Sequence, residues 1–508
     1  SVSQQSETPT TPVTPTEPTQ PEQPTTPSEP ETPTTPSEPE QTKGDLYVSP
    51  SGKSTAAGTQ NAPMDLLTAI NSISAGYTIW MEEGTYKAYE LYGAPIVIAE
   101  SNSGAEGAYK TISSINGGTV TIDFSGMAEL GSNRGIVLDG SYWHFYDIDI
   151  CNAGDNGMLL SGDNNIIELC QFYANHDSGL QISRYNTSAD TIDLWPSNNL
   201  ILNCTAFDNK DEATCENADG FAAKLTIGEG NTFDGCIAYN NADDGWDLFA
   251  KVETGSIGAV TIQNCVAYGN GYLEDGTDAG NGNGFKMGGS SMSGYHKLIN
   301  SVAFDNKAKG IDSNSCPDIQ VTNSTSYNNG GSNVAMYTND AANTDFMATG
   351  VLSWRTQKTS VNETFKFKGT QDASKVYQSS NYFWNCTEAG TNNSTTAVTA
   401  DWFVSTDTKM NYDTHVYAAI PVTRNSDNTI NMNGLLVLTA NAKAGAVVGG
   451  QASAKIDLSG KMTGGLLFQK TTGSESVETG DMANMMLYIL LLLGAAGVYA
   501  VSKKRKHA

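Results

Sequence analysis

The sequence predicts an all-β fold, a parallel β-helix (solenoid) with an N-terminal capping helix. Three observations carry this expectation. Short runs of alternating apolar residues recur from about residue 163, each closing on an asparagine: Asn175, Asn209, Asn241, Asn270, Asn306 and Asn329, spaced 23 to 36 residues apart. A column of small thiols and hydroxyls keeps register with them (Cys170, Cys204, Cys236, Cys265, Ser301, Ser324), and Phe or Tyr stands two residues before every asparagine. Finally, 51 glycines and only 16% charged residues in 508 suit a turn-rich β protein better than a helical one.

Self-similarity at this period means a stack of repeats, and the period-two alternation selects strands over helices. Rungs about 4.8 Å apart would stack identical side chains. An asparagine ladder can then exchange amide hydrogen bonds and satisfy the buried backbone of a bend. The cysteine column reads as core packing, because a free thiol behaves as a small hydrophobe. Disulfides between neighbouring rungs are the alternative in an exported chain. Cys151, Cys215, Cys316 and Cys386 take no assignment from the pattern.

Taken in order, residues 1–43 hold no candidate core and are rich in Thr, Pro and Glu, with TTPSEPE at both 25–31 and 34–40. Proline fixes φ and removes donors, so this reads as an extended, disordered spacer. Ser1 follows no Met or apolar leader, and a signal peptide is expected to have been removed. The solenoid domain is expected over 44–448. Leu46 to Pro50 forms a first strand, Pro63 to Ile73 an amphipathic helix over the open end, and Thr78–Met81 and Gly84–Tyr86 resume the β pattern. A cap is needed because a bare end exposes core and strand edge. The coils are expected to finish between about Leu435 and Val448, with a linker over 449–479.

Residues 480–508 read as an anchor. The apolar stretch 482–501 is long enough to span a bilayer, and Lys503-Lys504-Arg505-Lys506 follows it. With Thr479-Gly480 just upstream, the tail resembles a sortase sorting signal, although Ser476-Val477 stands where that signal usually has Leu-Pro. The alternative is a retained membrane span. Either implies an extracellular, surface-anchored protein with sortase or the cell envelope as a partner.

The chemistry concentrates in NADGFAAKLTIGEGNTFDGCIAYNNADDGWDLF, residues 217–249. Asp219, Asp243, Asp244 and Asp247 lie within 29 residues, and Asp219-Gly220-Phe221 recurs as Asp244-Gly245-Trp246. Aligning the turns on Gly157, Gly179, Gly220, Gly245, Gly284 and Gly310 stacks Asp219 on Asp244 and places Lys286 in the column of Asp247, one rung on. Carboxylates at one rung spacing repel by roughly 3–4 kcal/mol at an effective dielectric near 20, so they hold protons or a cation. Oxygen-only donors select a hard ion, Ca²⁺ outside the cell. A solvated acidic loop is the plainer alternative, as is a structural Lys286–Asp247 pair. Near a cation and away from water, Lys286 would favour its neutral form, as a general base requires. Arg184, Lys224 and Lys251 are candidate substrate-binding residues, or merely solvated ones. A net charge of −27 argues against nucleic acid as a partner. It also requires a cation if the substrate is a polyanion.

The runs NADGFAAKLTIGEGN, DDGWDLF and GNGNGFKMGG resemble the motifs of polysaccharide lyase family 9, pectate lyases with a right-handed parallel β-helix. The match runs from about Asp45 to Val448, with Met287 where the family usually has Leu. The resemblance implies that Asp219, Asp243, Asp244 and Asp247 ligate Ca²⁺ and that Lys286 is the Brønsted base. It further implies a monomeric enzyme on pectin or polygalacturonate. Ca²⁺ would acidify the C5 proton α to the C6 carboxylate, Lys286 would remove it, and C4–O would break by β-elimination. Two other classes stay open: a polygalacturonase-type hydrolase working through paired carboxylates, and a non-catalytic β-helix adhesin.

Overall fold

A computed structural model describes residues 44–390 and 395–448. The expected spacer 1–43, linker 449–479 and anchor 480–508 lie outside the described residues. Among those described, no helix is long and apolar enough to cross a membrane.

Each coil contributes one short strand to each of three sheets. The central coil, for example, supplies Thr232–Asp234, Ile237–Tyr239 and Trp246–Asp247. The first sheet has 11 strands, from Leu46–Val48 to Met347–Thr349. The second has 10, from Ile96–Ile98 to Glu363–Lys366, and the third has 12, beginning with Gly84–Lys87. The rungs pair in parallel and in the expected register: Phe221 faces Trp246, which faces Phe285, which faces Ile311. These four fill the interior, fully buried.

The strands stay short because bends recur at fixed places. Between the first and third sheets the chain turns through a left-handed residue: Asn203, Gly235, Asn264, Asn300, Asn323 and Gly350 all have φ between 46° and 67°. Asn tolerates that region and Gly is free in it, which explains why these two types predominate in the column, although Leu169 and Asp147 take the same turn on earlier rungs.

The asparagine ladder is continuous. Nδ2 of Asn175, Asn209, Asn241, Asn270 and Asn306 each donates to Oδ1 of the next, at 2.8–2.9 Å. The thiol and hydroxyl column serves the neighbouring bend in a similar way. Cys236 N–H donates to Cys265 Sγ, Cys265 N–H to Ser301 Oγ, and Ser301 N–H to Ser324 Oγ. All eight cysteines are free, and the four in the column are buried in the core. A further ladder, Asn165, Asn199 and Asn231, lies at the start of the first sheet's strands. The spacing analysis missed it because it spans only three rungs.

The cap forms as a helix over Leu66–Ser72, with Asp65 Oδ1 accepting from Thr68 N–H at 3.0 Å and Leu66, Ala69 and Ile70 turned into the core. The C-terminal end differs from expectation. The last parallel rung pairs Leu352–Arg355 with Tyr382–Asn385, so the coils finish about 50 residues early. Residues 398–448 instead run back over the third sheet. There Trp402, Phe403, Val422, Ile430 and Leu435 cover an outward aromatic column that includes Tyr268, Phe304, Tyr327 and Trp354. Those rings would otherwise expose a large apolar stripe, and covering it removes that area from water. Arg424 pins the cover, donating to Cys204 O at 2.9 Å and Gly235 O at 3.0 Å.

Candidate active site

Two of the aspartates, Asp219 and Asp244, directly precede a glycine that the ladder requires. A Cβ on Gly220 would lie 2.8 Å from Asn241 Nδ2, and one on Gly245 would lie 2.9 Å from Asn270 Nδ2. The tight approach of backbone to ladder therefore fixes the turn from which Asp219 and its counterpart Asp244 project. Their backbones are bonded rung to rung, Gly220 N–H donating to Asp244 O at 2.9 Å.

The site carboxylates are all nearly or wholly buried. Asp219, Asp243 and Asp244 can each present an oxygen within 4.8 Å of the others. Backbone donors aim all three: Asn217 and Asn281 N–H donate to Asp243 at 2.9 Å, Asn283 N–H donates to Asp244 Oδ1 at 2.6 Å, and Asp244 N–H donates to Asp219 Oδ1 at 3.3 Å. Asp247 stands outside that trio and turns Oδ2 toward both lysines, 3.3 Å from Lys286 Nζ and 3.5 Å from Lys224 Nζ. Its Oδ1 is buried without a hydrogen-bond partner. Lys286 also reaches Asp244 Oδ2 at 2.9 Å and keeps 16% of its side chain exposed, against 7% for Lys224.

Burial pushes the Asp244 carboxyl up to about 7; Lys286 opposes this, while Asp243 and Asp247 add to it. Burial likewise drives Asp219 well above the carboxylate range against the pull of Lys224. For Lys286, burial favours the neutral amine, but Asp247, Asp244, Asp219 and Asp243 outweigh it and hold the ammonium above its ordinary value. The expected neutral Lys286 is thus not produced by the carboxylate cage alone. The cage fits a hard divalent cation: it offers only oxygen donors, three of them converge, and a buried carboxylate oxygen lacks a partner.

The other candidates fare differently. Lys224 is buried and paired with Asp219 Oδ2 at 2.7 Å, so it neutralises the cage and is not a free surface cation. Arg184 is half-buried and donates to Ala189 O, closing its own loop. Lys251 is exposed, with no ion pair among the described residues. The sequence reading missed Ser178, whose Oγ donates to Asp219 Oδ2 at 3.2 Å, and the Asn281 and Asn283 amides. Only the position of Ser178 in the same column could have flagged it.

A family model described as "Pel9A-like, right handed beta helix region" matches residues 46–343. "Pectate lyase L" of Paenibacillus polymyxa (strain SC2) is 45% identical over 295 residues, 58% of this chain and 65% of that protein. "Pectate lyase L" of Dickeya chrysanthemi is 36% identical over 305 residues, 58% of this chain and 68% of that protein. A like-named protein of Thermoclostridium stercorarium is 42% identical, but the match spans only 25% of its length. Among solved structures, that of pectate lyase Pel9A superposes with a TM-score of 0.63 at 31% identity, covering 80% of this chain and 91% of its own. A rhamnogalacturonan lyase at 21% identity and TM-score 0.60 shares the fold. With more than half its length matched, the chain belongs to the Pel9A-like family of right-handed β-helix proteins.

Proposed function

We propose that this chain is a calcium-dependent pectate lyase cleaving polygalacturonate by β-elimination. The observation that carries the reading is Lys286: one partly open ammonium held against Asp244 and Asp247, beside three convergent carboxylates. The lyases among its relatives support the same class. Asp219, Asp243, Asp244 and Asp247 would hold Ca²⁺, which supplies positive charge to bind the substrate's C6 carboxylate and acidify the proton at C5. Lys286 Nζ accepts that proton. The C5–H electron pair becomes the C4=C5 double bond, the C4–O bond breaks, and the departing oxygen takes a proton from solvent. Lys224 stays paired with Asp219, offsetting charge without entering the reaction. Asn281 and Asn283 fix the carboxylates through backbone N–H groups.

The reading extends to an exported, surface-tethered monomer acting on pectin, supported by the apolar stretch 482–501 and its basic flank. The test is ultraviolet absorbance of unsaturated product from polygalacturonate. Lys286→Ala should abolish it while calcium binding is retained, and Lys286→Arg should not restore it, because guanidinium stays protonated. Near-normal turnover by Lys286→Ala would overturn the assignment. Reducing ends released without absorbance would indicate a hydrolase instead.

A further inference from the structure

Beyond Lys286 the second sheet continues through strands Ile311–Asp312, Val334–Tyr337 and Glu363–Lys366. Lys286 is in register with Asp312 and then Ala335, so Tyr337, two residues past Ala335, projects from the same face two rungs away. In register with Tyr337 on the next rung is Lys366. Two ammonium groups gather over this one ring: Lys309 Nζ lies 5.7 Å from its centroid and Lys366 Nζ 5.9 Å. Lys309 is neutralised by Asp312 Oδ2 at 2.8 Å. Lys366 is exposed and has no ion pair among the described residues. Two cations over one ring repel each other, and the ring's negative face offsets only part of that. An anion arriving beside Lys366 would complete the balance.

We propose that Tyr337, Lys366 and Lys309 form a subsite for one hexuronate residue of the substrate, two rungs from the reacting sugar. The C–H-rich face of the pyranose packs on the half-buried Tyr337 ring, and Lys366 takes its carboxylate. Rung spacing of about 4.8 Å is close to the advance of a polysaccharide per sugar, so a chain running along the sheet reaches this ring from Lys286. Lys309, tied to Asp312, sits over the ring and holds it in place, leaving Lys366 as the unpaired cation. These are substrate-positioning residues, and they make a strongly acidic protein locally cationic where a polyuronate must lie.

The inference rests on the lyase reading, and its test separates the two. Initial rates of unsaturated-product formation are measured on trigalacturonate and hexagalacturonate for the parent, Lys366→Ala, Lys366→Arg and Tyr337→Ala, with thermal melts of each. Lys366 is exposed, so its variants should melt with the parent. The expected result is a five- to tenfold fall in kcat/KM on the hexamer for Lys366→Ala, carried mainly by KM, with twofold or less on the trimer. Lys366→Arg should recover most of it, and Tyr337→Ala should match or exceed the loss. Equal rates on the hexamer, or equal losses on both substrates, would overturn the subsite while leaving the lyase assignment intact. No turnover by the parent would overturn the lyase reading and the subsite with it.

Discussion

Replacing Asn241 by Ala removes the middle link of the ladder, and its cost can be worked from the bonds lost. Asn241 is fully buried. Its Nδ2 donates to Asn270 Oδ1 at 2.9 Å and to Ala206 O at 3.2 Å, and its Oδ1 accepts from Asn209 Nδ2 at 2.8 Å and, more weakly, from Asn209 N–H at 3.5 Å. Two of the four partners keep another bond: Asn209 Nδ2 still donates to Phe172 O, and Asn270 Oδ1 still accepts from Asn241 N–H. Asn209 N–H and the side of Ala206 O that faced the amide are left buried and bare. Each stranded group costs about 1–3 kcal/mol, and the space vacated by the amide adds to that. The sum is roughly 3–5 kcal/mol. The assay is equilibrium urea unfolding followed by circular dichroism, with Asn186→Ala on an exposed loop as the reference. A loss below about 1 kcal/mol would refute the reasoning, since it would mean that water or backbone movement re-satisfies the bend. Because Asn241 leads directly into Asp243 and Asp244, the variant should also bind calcium more weakly at temperatures well below its melt.

His296 sets an acid limit. Its Nδ1 accepts from Val260 N–H at 3.2 Å, and burial lowers its pKa to about 4. The unfolded chain therefore binds this proton more tightly, so stability is full above about 6.5 and falls by roughly 3 kcal/mol as pH drops to 4; His296→Asn should flatten that part of a stability–pH curve. If the tail is a processed sorting signal, the intact mass of surface-extracted protein should lack residues 480–508, and finding them still attached would favour a plain membrane span.

What the sequence revealed and what it hid divide along a physical line. Asn175 to Asn329, the cysteine column and the stacking of Asp219 on Asp244 were legible because a solenoid repeats each environment, so identical needs select identical residues at each rung. Lys286 beside Asp247 followed from the same register. The cover formed by 398–448 was not legible, because it repeats nothing and is specified only by the aromatic column it meets. The burial of Lys224 was hidden for a related reason: one lysine among solvated ones carries no mark of which way its loop folds. The left-handed column was present as Asn and Gly at matching positions, but its meaning required the bends themselves.

The charge state of the cage leads to a final prediction. Four carboxylates surround two ammonium groups, Lys224 and Lys286, within a buried site, leaving a formal −2 when all are ionised. Burial makes that excess costly. Without a metal, protons meet the cost, which is why the Asp244 carboxyl rises to about 7 and the Asp219 carboxyl also lies well above the usual carboxylate range. A divalent cation carries the same charge and competes for the same oxygens, so its binding must release protons. As it offsets the carboxylates, it also removes the attraction that keeps Lys286 protonated. Calorimetric titration of the parent with calcium near neutral pH, in buffers of different ionisation enthalpy, should therefore show net proton release. Apparent affinity should rise as pH climbs from about 5 toward 8, the direction expected of carboxyls whose pKa is raised. Asp243→Ala should bind calcium at least tenfold more weakly because it removes one of the three convergent ligands. Asp247→Ala should weaken binding less, since this side chain faces the lysines. Calcium uptake with no proton release, or with an affinity indifferent to pH across that range, would show that the carboxylates are already ionised without the metal and would break the link between the cage and Lys286.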